Sequence, residues 1–218
     1  MASEPFQMAM IHRTFRIEFG NIPALINDVA PGDVKRSRTV GVYLGNMLSV
    51  LHHHHAAEDD FLWPTLHSRS GLSDDVAGRA RTEHLAIADV MKDIESIRPS
   101  WQRTADSRRG TVLADRVHAL SGLAASHFRD EERDLVPLVG EHLSAAEWQT
   151  FIDRGAAYVK PANLWFALAY GGILLSQATP EEGRRFMAAV PVPLRIVLKL
   201  AGSRAYRSHR TALYGAGA

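Results

Sequence analysis

The stretch His54-His55-Ala56-Ala57-Glu58 returns, in residue type and spacing, as His127-Phe128-Arg129-Asp130-Glu131. Each places a histidine and a glutamate four residues apart. In a helix that step puts both side chains on one face, one turn apart. Similar tails follow, Phe61-Leu62-Trp63-Pro64 after the first and Leu135-Val136-Pro137 after the second. A single pair carries little weight, but two with matching tails read as the two halves of one metal site held inside a helical bundle.

Working outward, the apolar residues recur at helical spacing almost everywhere. Residues 5–19 predict a first helix through Met8, Ile11, Phe15 and Phe19, followed by a connection to about Gly32. A second runs from Val34 to Leu62, its inward stripe being Val40, Tyr43, Met47, Leu51, His54, Glu58 and Phe61. A third starts at Ser73-Asp74-Asp75, with Ala77, His84, Ile87, Met91 and Ile94 inward, and is expected to stop before Pro99. The fourth spans 110–140 with Val117, Leu120, Ala124, His127, Glu131 and Leu135 inward.

Beyond Gly140 the chain changes character. Ser144 and Glu147 form a capping-box pattern for a helix over 145–159, and an apolar segment covers 162–178. Thr179-Pro180-Glu181-Glu182 opens another helix, and a basic one over 194–213 carries Arg195, Lys199, Arg204, Arg207 and Arg210. The fold class is therefore all-α: a four-helix bundle over residues 1–143 with a helical C-terminal extension over 144–218.

Composition narrows the chemistry. The 218 residues are 46% hydrophobic, enough for a sizeable core, and the formal charge of +1 argues against a nucleic-acid partner. With no cysteine, disulfides, iron–sulfur clusters and thiolate zinc sites are excluded, whereas histidine reaches 11. Met1 to Pro5 lacks a signal-peptide pattern, and the 162–178 segment is short of the roughly 20 residues that span a bilayer. No membrane span and a cytoplasmic location are expected.

Six residues from four helices fall on the inward stripes: His12, His54, Glu58, His84, His127 and Glu131. Two inward glutamates are the informative members, because a buried carboxylate without a partner is costly. A divalent cation removes that cost, and imidazole with carboxylate suits iron, manganese or zinc.

The sequence resembles the hemerythrin-like family, the HHE cation-binding domain. His12 in Ile11-His12-Arg13, the run His54 to Asp59, the pair Glu83-His84 and the run His127 to Glu132 carry the likeness, over residues 6–140. The resemblance implies an up-down-up-down bundle around two Fe ions, oxo- or hydroxo-bridged, with Zn or Mn as other occupants. Glu58 and Glu131 would bridge, His12 and His54 would serve one metal, and His84 and His127 the other. Glu132, five residues after His127, keeps the family's spacing and is the alternate to Glu131.

One departure stands out. Oxygen-carrying members place two histidines four apart on the third helix, but Ala88 follows His84 at that step. Water, or one of Tyr43, Tyr158, Tyr206 and His209, is then expected to fill the position. His52, His53 and His55 are read as solvated or outside the ligand set, because they point away from His54. A vacant position favours reaction over reversible carriage. The expected function is a non-haem di-iron protein that binds or reacts with O2, H2O2 or NO, with catalase- or peroxidase-like peroxide decomposition the favoured chemistry. The alternative is an iron or oxygen sensor that signals through the C-terminal extension, which could also form a homo-oligomer.

Overall fold

A computed structural model describes residues 5–71 and 73–215, with the side chains of Asp74, Tyr158 and Pro161 outside the description. The readings made on Met1 to Glu4 and on the Tyr158 side chain therefore lie outside the described residues. Every element among the described residues is helical: α1 (Phe6–Asn27), α2 (Val34–Ala57), a π-turn (Glu58–Leu62), α3 (Trp63–Ser70), α4 (Asp74–Thr104), α5 (Ser107–Asp134), α6 (Val136–His142), α7 (Ala145–Gly155), α8 (Leu164–Ser176), α9 (Pro180–Ala189), α10 (Val192–Val197), a second π-turn (Leu198–Gly202) and α11 (Ser203–Tyr214), with short 3-10 turns before α8. The chain divides into two units. One holds Phe15–Tyr158, and the other holds Phe6–Thr14 with the residues from Val159 onward.

Local chemistry sets where the helices begin. Asp33 caps α2 by accepting from the Arg36 amide at 2.9 Å, and Asp106 caps α5 through the Arg109 amide at 2.9 Å. Ser73 caps α4. Such a cap is worth about 1 kcal/mol. Ser144 with Glu147 and Thr179 with Glu182 form complete capping boxes at α7 and α9.

Prolines end fewer helices than the sequence suggests. α4 runs through Pro99 to Thr104, and α1 runs through Pro23 to Asn27. A proline inside a helix costs about 3 kcal/mol. Burial offsets it in both: Trp101 lies two residues beyond Pro99 at 1% exposure, and Ile22, Leu25 and Ile26 flank Pro23 in the core. At Pro64 and Pro137 the chain instead starts new short helices, with proline at their first turn.

The π-turn after α2 matters for the site. Trp63 donates its backbone N–H to Glu58 O, five residues back. Eight residues separate Glu58 from Leu66, which in a regular helix leaves them about 80° apart. The extra residue absorbed by the π-turn cuts this to about 20°. Leu62 and Leu66 are fully buried below Glu58 as a result, while Phe61, expected inward, is half-buried under the Arg154 guanidinium at 4.9 Å.

In the second unit, α8 is a buried helix rather than a membrane span, and no described helix is long and apolar enough to cross a membrane. α11 approaches α8 so closely that a Cβ on Gly172 would sit 2.6 Å from the Tyr206 Cβ. The first turns of α1 join α9 through Arg13, whose guanidinium donates to both Glu182 oxygens at 2.7 and 3.0 Å and to Gln177 O at 2.8 Å.

Candidate metal centre

Seven buried ionisable side chains meet in two overlapping groups. His12, His54, Glu58 and Glu131 form one, and His55, Glu58, His84 and His127 form the other, each with one ligand atom per residue and all such atoms within 4.8 Å. Glu58 belongs to both. His12 stands one turn before Phe15 on the unbroken α1, so helix geometry carries it to the level of that ring. None of the seven is more than 7% exposed.

The helices supply these residues in a simple way. On α2, His54 and His55 are adjacent and about 100° apart around the axis, and Glu58 sits one turn on, four from one and three from the other. His54 Nε2 lies 3.2 Å from Glu58 Oε1, and His84 Nε2 from α4 lies 3.6 Å from Oε2. On α5, His127 Nε2 lies 3.4 Å from Glu131 Oε2, one turn along. Glu132 turns outward and pairs with Arg16 at 2.9 and 3.0 Å.

His55 corrects the expectation that it points to solvent. Its ring stacks on that of His84 at 4.1 Å between centroids and meets His127 edge-on at 5.1 Å. Its neighbours behave as expected: His52 is exposed, and His53 bonds to Ser49 O at 2.8 Å. His55 thus adds an imidazole from α2 to the group of His84 and His127, while Ala88 is exposed. Tyr43 is engaged elsewhere. Its hydroxyl donates to buried Glu18 at 2.5 Å, eleven residues and about 16 Å along the axis before His54. Tyr206 and His209 belong to the second unit, where His209 packs against Phe166 at 5.9 Å rather than lying at the surface.

Two carboxylates orient the imidazoles. His84 Nδ1 lies 2.9 Å from Asp59 Oδ1, and His127 Nδ1 lies 2.9 Å from Glu83 Oε2. Where these carboxylates accept from Nδ1, each Nε2 is left with its lone pair for a cation. The two Nε2 atoms are 3.0 Å apart and face the same space. Asp59 and Glu83 stand in the stretches that carry the family likeness, but the sequence gives neither of them a role at the site.

The electrostatics test whether a cation belongs here. Neither oxygen of Glu58 has a hydrogen-bond partner, and the side chain is fully buried. Burial, then the Glu131 charge, then Asp59 push its carboxyl well above the usual range. Burial, followed by Glu83, Glu132 and Asp59, does the same to Glu131. A buried, unsatisfied acid is the costliest arrangement a core can hold, and cation coordination relieves it. The donor set of carboxylate oxygens and neutral imidazoles fits iron and other first-row metals.

Aromatic rings wall the His54 side: Phe15 at 5.6 Å, Phe128 at 6.3 Å and Phe151 of α7 at 6.3 Å from its ring. Phe15 and Met47 are fully buried. The His84 side is wetter. Asp59 lines an open cleft of about 430 Å³ with Trp63, His67 and Arg81.

No curated protein and no solved structure matches the chain significantly. The family model described as Hemerythrin HHE cation binding domain matches residues 7–139, a span that holds all seven residues of the two groups. The chain belongs to the hemerythrin HHE cation-binding family.

Proposed function

We propose that α1, α2, α4 and α5 form the up-down-up-down bundle of residues 1–143 and hold two iron ions, and that the protein binds and reacts with O2, peroxide or NO. The observation that carries this is Glu58: a fully buried carboxylate without a hydrogen bond, common to two groups of buried histidines. His12 and His54 would serve one ion, and His55, His84 and His127 the other, with Glu58 and Glu131 between them. When bound, a pair of irons supplies two one-electron changes to a small oxidant.

The protein's own residues shape that chemistry. Phe15, Phe128 and Phe151 exclude water beside His54. Asp59 and Glu83 fix the Nδ1 protons of His84 and His127, and both carboxylates reach solvent, at 42% and 28% side-chain exposure. Reduction of one peroxide to water takes two electrons, which the iron pair would supply, and two protons. Oxidation of a second peroxide to O2 would return both, and these two carboxylate–histidine pairs offer the protons a route between the centre and solvent. This proton route is the ground for favouring peroxide turnover, with His55 as a further imidazole beside His84 and His127.

The test is metal analysis of anaerobically purified protein followed by a peroxide-decomposition assay. About two irons per chain, a visible absorption altered by peroxide, and peroxide loss that stops on chelation support the reading. Folded protein that takes up no iron on reconstitution sinks it. The second reading, an iron or oxygen sensor, rests on the separate C-terminal unit. Deletion from residue 159 that leaves metal uptake and peroxide loss intact would favour it.

A further inference from the structure

We propose that the segment from Val192 to Leu200, with the cations beside it, docks the C-terminal unit on an anionic lipid surface. Val192, Ile196 and Leu200 follow one another at four-residue steps, which keeps them on one helix face. They are 61%, 52% and 79% exposed, and Leu194 and Val197 add 45% and 41%. This is a contiguous outward apolar stripe and not a scatter of single residues. The inward face of the same helix is already filled within its own unit. Leu198 lies over Gly171, and Ala205 joins the core with Leu168 and Ala169. The helix is therefore apolar on both faces, and its inner packing does not account for the outer one.

Charge selects the occupant. Residues 159–218 hold eight Lys and Arg against two Asp and Glu, a formal +6 in a chain whose total is +1. Both acids are already matched by arginines, Glu181 by Arg184 and Glu182 by Arg13. Lys199 lies within the segment, directly before Leu200, and Arg204 and Arg207 continue along the same helix, all three exposed. A second copy seated face to face on this patch would bring two surfaces of the same positive sign together, since a twofold interface uses the same patch on both copies. An anionic bilayer satisfies both halves of the surface: acyl chains receive the apolar stripe, and headgroups receive the cations. The docked protein lies on the surface and does not span it.

Co-sedimentation of the full chain with vesicles tests this, using phosphatidylcholine with and without phosphatidylglycerol. The protein is expected to sediment with the anionic vesicles and not with the neutral ones, and to be released as salt rises. Ile196→Ser with Leu200→Ser should weaken partitioning by about tenfold or more, and Lys199→Ala by about fivefold. Circular dichroism and iron uptake should stay unchanged in both variants, because these side chains are outside the core and the metal centre. Absence of binding to anionic vesicles overturns the proposal, as does a double-serine variant that binds like the parent. A dimer in sedimentation equilibrium that Leu200→Ser dissolves, with no vesicle binding, assigns the surface to a second copy and equally overturns it. Each result is independent of whether the centre turns over peroxide.

Discussion

In the unit of residues 15–158, two carboxylates lie buried among imidazoles, whereas in the unit that begins again at Val159, five large apolar side chains between Val192 and Leu200 face solvent. Each arrangement inverts the usual rule, charge inside in one and hydrocarbon outside in the other. Buried polar groups and exposed apolar patches are the deviations that mark function. The buried carboxylates are the ground for the proposed cation centre, and the exposed stripe is the ground for the proposed lipid docking. They should respond to different perturbations, and that separability is what experiments can break.

The largest effect is expected at Glu58. Glu58→Gln should abolish metal uptake on both sides, because this residue belongs to both groups. With metal at about a hundred times its Kd, the parent gains about 3 kcal/mol against unfolding, and the variant should not. Without metal the order reverses: Gln removes a buried charge, so the variant should melt higher than the metal-free parent, by about 1 kcal/mol or more. Melting curves with and without iron measure both. A variant that melts lower in both conditions would make Glu58 a packing residue.

Next is His55→Ala, which should reduce iron from about two per chain toward one, with His52→Ala as the neutral control. Equal stoichiometry in both variants would return His55 to the bystander role. Smaller again, Asp59→Asn and Glu83→Gln should weaken metal affinity about 10- to 100-fold by loosening His84 and His127. Competition with a chelator reads this directly, and unaltered affinity would leave those carboxylates as surface groups.

The ordering of these effects also explains what could be read from sequence. The two His-x-x-x-Glu pairs were legible because the i,i+4 relation is local and every helix obeys it. His12 and His84 were legible because they sit on apolar stripes. His55 was not, since judging it by its angle to His54 assumes one focal point. A centre with two foci straddles α2, and the residue that points away from one group points at the other. The better signal was Glu58, one turn from both histidines. The role of Asp59 and Glu83 was not legible because they stand beside the inward stripes, and only tertiary packing brings them to the Nδ1 atoms. Pro99 misplaced the end of the third helix because burial of Trp101 outweighs a local penalty that sequence shows by itself.

The smallest expected difference is in pH dependence, and its sign separates the units. In metal-free protein, Glu58 and Glu131 have carboxyls raised above their unfolded value. The folded state then binds more protons, so the first unit loses stability as pH rises from the ordinary carboxyl range through the raised folded values. In the second unit, burial lowers His209 from 6.5 to about 4. There the unfolded state binds more protons, and stability falls as pH drops from about 6.5 to about 4. Amide exchange resolved by segment should show these opposite slopes, and His209→Gln should flatten the second alone.

The central claim is one shared carboxylate between two cation sites, and iron titration into metal-free protein tests it most directly. The account predicts uptake of about two irons per chain in the parent, about one in His55→Ala and none in Glu58→Gln. Parent protein that saturates at one iron, or a Glu58→Gln variant that still takes up two, would contradict it.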